Sequence, residues 1–321
     1  ELTMKLITYI QHDDNKINPV SLEALQGAQE IANVTNGSVI AVTYNPNVNE
    51  LLINYDVDAI ITLDNENLRA YNPLYYLKAM EEIAKSNSFD AMVFGHTYEA
   101  RDWVPRLSAR LDIPFVSDCI DYKNDDKFLL TRSVYQGKLN SDISINHDKF
   151  IMSFQSGSFK IDKLKEGSAN LKKIEIDFSS IENTIYPGEK FQESETSVDL
   201  SQAEIIVSVG RGIGKEENLD LVRNLAKALK GELASSRPVV DSGWLESYHQ
   251  VGSSGQTVSP KLYLAIGISG AIQHVVGMKG AKNIMVINKD ANAPLFEIAD
   301  YGIVGDLFEI VPKLTEMMQN S

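Results

Sequence analysis

The residues most able to do chemistry gather in the last third of the chain. There, Gly210-Arg211-Gly212-Ile213-Gly214 separates an apolar run at 204–209 from an amphipathic one at 216–230. Such a strand-to-helix turn presents free backbone N–H groups and the positive end of a helix dipole to phosphates. Arg211 adds a guanidinium that can clamp a phosphate through two hydrogen bonds. The spacing differs from the dinucleotide fingerprint, since Gly214 comes one residue early, and a structural tight turn explains the glycines equally well. Three more polar loops follow: Ser235-Ser236-Arg237 with residues 241–244, residues 250–255, and Gly267-Ile268-Ser269-Gly270-Ala271-Ile272-Gln273-His274. The last precedes a predicted helix and makes a second anion cradle. Residues 287–290 and Gly305-Asp306 complete the polar groups at predicted strand ends, where open α/β sheets hold their ligands.

Other chemistries find less support. The lone Cys119 has Asp118 and Asp121 beside it, and negative charge raises a thiol's pKa, so a packed structural role is favoured over a nucleophilic one. A single thiol also suits a reducing compartment. His12, His96, His147 and His249 have no metal-ligand spacing with one another or with Cys119. The spacings suggest no Ser-His-Asp arrangement, P-loop lysine or carboxylate pair. Asp125-Asp126 and Glu193-Ser194-Glu195 read as solvated loops. A formal net charge of -14 opposes nucleic acid and anionic membrane surfaces. The longest uncharged apolar run, 262–278, is short for a bilayer span and carries Gln273 and His274. Glu1-Leu2-Thr3 ahead of Met4 reads as a trimmed start with no signal peptide. The expected location is the cytoplasm, or the mitochondrial matrix in a eukaryote.

The elements that would position these loops alternate. Strands are expected at 4–10, 38–43, 59–63 and 90–95, with helices at 20–34, 73–85 and 103–111, the pattern of a parallel sheet covered by helices. After Pro114 come strand-like segments at 128–135, 143–145 and 150–154 with no long helix between them, which predicts an antiparallel extension. Residues 179–203 form a polar stretch read as a linker. A second α/β series follows, with strands at 204–209, 261–266, 283–287 and 303–304 and helices at 216–230, from 272, and at 307–318. The fold class is α/β in two domains: an N-terminal domain at 1–178 and a doubly wound, Rossmann-like domain at 204–321.

The runs SVGRGIG, ASSRPVVDSGW and QVGSSGQTVSPKLYLAIGISGAIQHVVGMKGAKNIMVINKDANAPLFEIADYGIVGDLFEIVPKL closely resemble the FAD domain of the electron-transfer flavoprotein alpha subunit, over about 204–314. Looser similarity covers MKLITYIQ and PVSLEALQGAQEIA in the N-terminal domain. The resemblance implies one FAD in this chain. Arg211 would lie near its phosphates or adenosine half, and Ser236 and Arg237 near the isoalloxazine. Gln250 joins the cofactor-binding set, and Val251, Gly252, Ser253 and Ser254 would line the ring's other edge, with Ser254 offering its hydroxyl to flavin N5. Ser269, Gly270, Ala271, Ile272, Gln273 and His274 would follow pyrophosphate and ribityl, His274 reaching the pyrimidine O2. Asn288, Asp306 and Leu307 would belong to the adenosine end. Ser253-Ser254 departs from the family's usual Gln-Thr pair, which keeps a hydroxyl and loses an amide. Arg237, Ser254 and His274 are the expected tuners of the flavin, since fixed cations and donors stabilise the charge of a reduced ring. Standing alone, Arg237 reads as a surface ion-pair partner and His274 as a hydrogen-bonded helix histidine.

The resemblance further implies an electron carrier rather than an enzyme. Its partner would be a smaller beta subunit in a heterodimer, held by the N-terminal domain and carrying AMP or a second FAD. Acyl-CoA or other flavin dehydrogenases would be the donors, a quinone oxidoreductase the acceptor, and the FAD domain would swivel. An electron-bifurcating flavoprotein coupled to ferredoxin or flavodoxin is the nearest alternative. An NAD-dependent dehydrogenase is disfavoured by the glycine spacing, and a nucleotide-binding module without redox function would be colourless.

Overall fold

The computed structural model describes residues 3–13, 15–125, 127–135, 137, 139–188, 200 and 203–319. Asp126, the Glu193-Ser194-Glu195 cluster and much of the expected linker lie outside the described residues. The chain groups into two compact units, Glu1–Ser133 with Asn140–Lys190, and Val134–Leu139 with Phe191–Ser321.

The first unit opens with β1 (Lys5–Tyr9), a small antiparallel hairpin β2 (His12–Asp13) and β3 (Lys16–Ile17), and helix α1 (Pro19–Val34). Pro19 pre-sets the first helical turn and the Asn18 side chain accepts the Val20 N–H, the capping chemistry that Asn-Pro predicts. Next come β4 (Ser38–Thr43), α2 (Asn49–Leu52), β5 (Ala59–Thr62), α3 (Pro73–Ser86), capped in the same way by Asn72, β6 (Ala91–Gly95) and α4 (Tyr98–Leu111). Helix α4 begins five residues before the expected start at 103. Thr97 caps it through the Ala100 N–H, and its buried stripe already includes Ala100.

The unit closes with β7 (Phe115–Asn124), β8 (Phe128–Val134), β9 (Leu139–Ser144), β10 (Phe150–Phe154) and β11 (Asn170–Lys173). The nine strands order β11-β5-β4-β1-β6-β10-β7-β8-β9. Here β10 corrects the expectation. It is no part of the antiparallel extension but lies parallel between β6 and β7, because all five of its residues are buried, as a strand covered on both faces requires. The antiparallel extension itself stands, starting at β7 with β8. One face of the sheet packs Leu6, Ile60 and Val93 with Leu25 and Ile31 of α1. The other packs Ile7, Ile61 and Met92 with Met80 of α3 and Trp103 of α4.

The second unit contains β12 (Ile205–Val209), α5 (Leu219–Ala228), β13 (Glu232–Ser235), α6 (Arg237–Asp241), β14 (Leu262–Ile266), α7 (Ile272–Met278), β15 (Ile284–Asn288), β16 (Tyr301–Val304) and α8 (Leu307–Gln319). Its five strands, ordered β13-β12-β14-β15-β16, are all parallel. The chain steps from β12 outward to β13, then returns to β14 on the other side of β12. That reversal is the topological switch point at which such sheets open a crevice. In the first unit the same reversal falls between β1 and β6. Helix α5 starts at Leu219, after 3-10 turns at Arg211–Ile213 and Glu216–Asn218. The glycine turn is therefore not joined directly to α5. Among the described residues no helix is long and apolar enough to cross a membrane, and no group of His, Cys, Asp and Glu could hold a metal.

Candidate functional site

The loops at the carboxyl ends of β12 and β14 lie in contact across the switch point of the second unit. Gly210 N–H donates to the Ile266 carbonyl at 2.8 Å, and Gly212 N–H to that of Gly267 at 3.1 Å. A Cβ on Gly210 would collide with the Gly267 carbonyl, and one on Gly212 would lie 2.7 Å from Gly267 Cα. Gly267 itself holds φ +62°, which favours glycine. The glycines thus let two backbones touch, so loop packing accounts for them. Arg211, between Gly210 and Gly212, is exposed and forms no ion pair among the described residues, a cation without a counterion in an acidic chain.

After β13, Ser236 is buried and its N–H donates to the Val209 carbonyl at 3.0 Å. Arg237 opens α6, exposed, with its Nε 3.3 Å from Asp241 Oδ2. The ion pair read for Arg237 standing alone is thus present. Residues 250–256 close on themselves: Gln256 N–H donates to the Gln250 carbonyl at 2.8 Å and Gly252 N–H to that of Gln256 at 3.1 Å. Val251 N–H ties this loop to the Ser235 carbonyl at 3.0 Å, and Ser253 N–H ties it to the Gln273 carbonyl at 2.8 Å. A Cβ on Gly277 would strike the Gly252 backbone, so the loop lies directly on α7. Ser253 and Ser254 are exposed. Gln250 Nε2 donates to Ser254 Oγ at 3.0 Å, which leaves the Ser254 proton to be donated outward.

On the adjoining loop, Ser269 is exposed and its carbonyl accepts the Leu295 N–H at 3.2 Å. Gly270 holds φ +93° with Leu295 N only 2.5 Å from where a Cβ would be. Ala271, the N-cap of α7, and Ile272 and Gln273 of its first turn are exposed, and the leading N–H groups of the helix have no partner within it. Asn288, Asp306 and Leu307 support this edge from beneath. Asn288 Nδ2 donates to the Ile268 carbonyl at 2.9 Å, Asp306 Oδ1 accepts the Phe308 N–H at 2.9 Å, and buried Leu307 packs against Gly267.

His274 is buried, with Nδ1 3.0 Å from the Val251 carbonyl and Nε2 3.0 Å from the Tyr263 hydroxyl. Burial pushes its pKa down to about 4, opposed by the Val251 carbonyl, so the ring is neutral near pH 7. This is the hydrogen-bonded helix histidine of the alternative reading. The sequence reading named no partner for it, and Tyr263 of β14 carries no local signal of the role.

The other titratable groups stay with the fold. Cys119 is buried and its thiol is pushed up to about 12, chiefly by burial. In the first unit His96 Nδ1 lies 2.9 Å from Ser153 Oγ, with Nε2 3.6 Å from Asp118, a grouping that the spacings did not suggest. Ser153 is fully buried and also accepts the Asp118 N–H, where Asp118 holds φ +60°. The trio fastens an irregularity in β7 and exposes no nucleophile.

Comparison with known proteins then supplies the family. Residues 6–179 match the family described as electron transfer flavoprotein domain, and residues 199–279 match the electron transfer flavoprotein FAD-binding domain. The electron transfer flavoprotein subunit alpha of Thermoanaerobacterium thermosaccharolyticum is 38% identical, with 96% of each chain covered. That of Bacillus subtilis is 34% identical, covering 97% of this chain and 96% of its own. The lactate dehydrogenase (NAD(+),ferredoxin) subunit LctC of Acetobacterium woodii is 31% identical over 98% of this chain and 77% of its own.

The chain belongs to the electron-transfer flavoprotein family, as an alpha subunit. Within that family the C-terminal match falls on the unit whose strand-end loops converge, and those loops fit a flavin dinucleotide on their own chemistry. Arg211 brings positive charge with no ion pair among the described residues, the first turn of α7 brings backbone donors, and Ser254 brings a hydroxyl whose oxygen accepts from Gln250 and whose proton is left to donate. The expected set divides accordingly. Arg211, Arg237, Ser253, Ser254, Ser269, Ala271, Ile272 and Gln273 are exposed along this edge. Ser236, Gln250, Val251, Gly252, Gly270, His274 and Leu307 are buried among them as support, with Asn288 half-buried and Asp306 exposed at the start of α8.

Proposed function

We propose that the carboxyl edge of β12, β13 and β14 holds one FAD and that the chain works as an electron carrier rather than as an enzyme with its own substrate. The observation that carries this reading is the convergence of four loops, 210–214, 236–237, 250–256 and 267–274, on one switch point. Arg211 and the first turn of α7 bind the phosphates. Ser254 donates its hydroxyl proton to the ring edge, Ser253 lies beside it, and Arg237 is within the same edge to offset charge on the reduced ring. FAD, when bound, supplies one- and two-electron chemistry. The protein holds donors and cations ready, so that little reorganisation accompanies electron uptake.

The first unit is read as the scaffold for a beta subunit in a heterodimer, with AMP or a second FAD in that partner, and the polar segment around 179–203 as a linker that permits the FAD domain to turn. Flavin dehydrogenases are the proposed donors, and a quinone oxidoreductase or another acceptor takes the electrons, in the cytoplasm. The Acetobacterium woodii relative, whose name couples NAD(+) with ferredoxin, favours a second reading in which electrons are divided between two acceptors. Purifying this chain with its beta subunit and counting nucleotides tests the proposal. Stoichiometric FAD lost on replacing Arg211 and Ser254 supports it, and a colourless, folded heterodimer overturns it.

A further inference from the structure

We propose that Tyr263 is a positioning residue for the flavin-facing loop: its hydroxyl donates to Nε2 of a neutral His274, whose Nδ1–H in turn holds the Val251 carbonyl, fixing Ser253 and Ser254. The inference rests on the flavin reading above and deepens it.

The protonation follows from hydrogen-bond inventory. The Val251 carbonyl can only accept, so the His274 nitrogen 3.0 Å from it, Nδ1, carries the hydrogen. A neutral imidazole then has its lone pair on Nε2, and the Tyr263 hydroxyl 3.0 Å away must donate to it. Tyr263 is completely buried, His274 nearly so, and burial pushes the Tyr263 phenol well above its ordinary value, which keeps it a donor. In such surroundings neither bond has water to replace it.

The three groups belong to different elements. Tyr263 lies in β14, His274 in α7, and Val251 in the loop that carries the exposed serines. That loop meets α7 again two residues on, through Ser253 N–H to the Gln273 carbonyl at 2.8 Å, and Gly252 abuts Gly277 in between. Ser254 follows at once, with its Oγ held by Gln250. The relay therefore sets where the loop sits on the sheet edge, at a place no local sequence preference determines.

The test uses the full chain assembled with its beta subunit and labelled with nitrogen-15 histidine. In the wild type, long-range proton–nitrogen correlation is expected to place the His274 proton on Nδ1 between pH 6 and 8. In Y263F the Nε2 lone pair loses its donor, so the Nε2 resonance should shift while the proton stays on Nδ1 against the Val251 carbonyl, and the ring is less firmly held. FAD dissociation should rise roughly three- to ten-fold, the worth of one net hydrogen bond, and the flavin potential should move negative as the loop donor drifts. Y263F combined with H274N should lose no more than H274N alone, as expected for groups acting through one another. A wild-type proton on Nε2 overturns the proposal, as does a Y263F protein with unchanged FAD retention and potential. Should Y263F not fold, the wild-type spectrum decides. Should the wild type bind no flavin, the flavin reading fails, while the tautomer measured on that protein still decides the relay.

Discussion

At the switch between β1 and β6 the first unit fills its crevice with its own side chains. Gln11 N–H donates to the Ser21 hydroxyl of α1 at 3.0 Å, and Gln11 Oε1 accepts the Thr97 hydroxyl beside α4. Just beneath, Tyr9 packs edge-on against Trp103 with centroids 5.2 Å apart, and Tyr44, Tyr76 and Phe94 close around them. At the switch between β12 and β14 the second unit uses glycines, short hydroxyl residues and an arginine that forms no ion pair among the described residues. One topology thus yields a plugged end and a receptive one. The difference lies in whether the side chains at the strand ends spend their donors on each other or leave them outward.

The largest expected effect on that contrast comes from Gly210→Ala, whose methyl would enter the Gly267 carbonyl. It should cost the second unit about 3 kcal/mol or more and abolish FAD retention. The first unit should unfold as before, with Trp103 reporting one unit and Trp244 the other, since the chain has 2 tryptophans. Full FAD content in this variant would break the comparison.

Acid should move the two units in opposite directions. Burial raises the Glu23 carboxyl of α1 from 4.5 to about 7, against hydrogen bonds from Gly157 and Ser156. Its contribution to stability is therefore present below the ordinary carboxylate value and is lost as pH rises through about 7. His274, lowered to about 4, contributes fully above its ordinary value, and that contribution is lost as pH falls from about 6.5 toward about 4. Each term is worth up to about 3 kcal/mol. Denaturant midpoints followed at pH 5 and pH 7 should shift oppositely for Trp103 and Trp244, and Glu23→Gln should flatten the first curve alone.

Gln11→Leu should strand the Thr97 hydroxyl, since the Ser21 hydroxyl keeps the backbone N–H of residue 11, and cost the first unit about 2 kcal/mol, with FAD content unchanged. A loss of FAD would show that the plugged end serves the cofactor after all. The smallest effect on stability belongs to Arg211→Ala, within about 0.5 kcal/mol for an exposed residue with no ion pair among the described residues. Flavin affinity should nevertheless fall about ten-fold, as loss of a charge-assisted phosphate contact requires. Arg237→Ala should act chiefly on the reduced flavin, because in its resting pair with Asp241 it is worth less than about 1 kcal/mol.

Much of this was legible before any coordinates. The alternation of apolar runs located both sheets and the helices at 20–34 and 73–85, and the runs from SVGRGIG onward carried the family. Some boundaries were not legible. Residues 98–102 hold few apolar side chains, so α4 seemed to begin at 103, and the polar 3-10 turn at 216–218 passed for a first helical turn. Segment 150–154 was seen as a strand but misplaced, since a short apolar run does not announce its neighbours.

By itself, the amino-acid order determined which segments become strands and helices, which strand ends carry glycine, serine and arginine, and which family the chain joins. Those properties follow from local periodicity, capping and short-range backbone freedom. Only the tertiary structure decided that β10 runs between β6 and β7, that Gln11 meets Thr97 from 86 residues away, and that Tyr263 and Val251 take both nitrogens of His274. Such pairings depend on strand order and on the depth at which each side chain comes to rest. In the dry interior of the second unit, that depth makes His274 a neutral clamp and leaves Arg211 as the waiting cation.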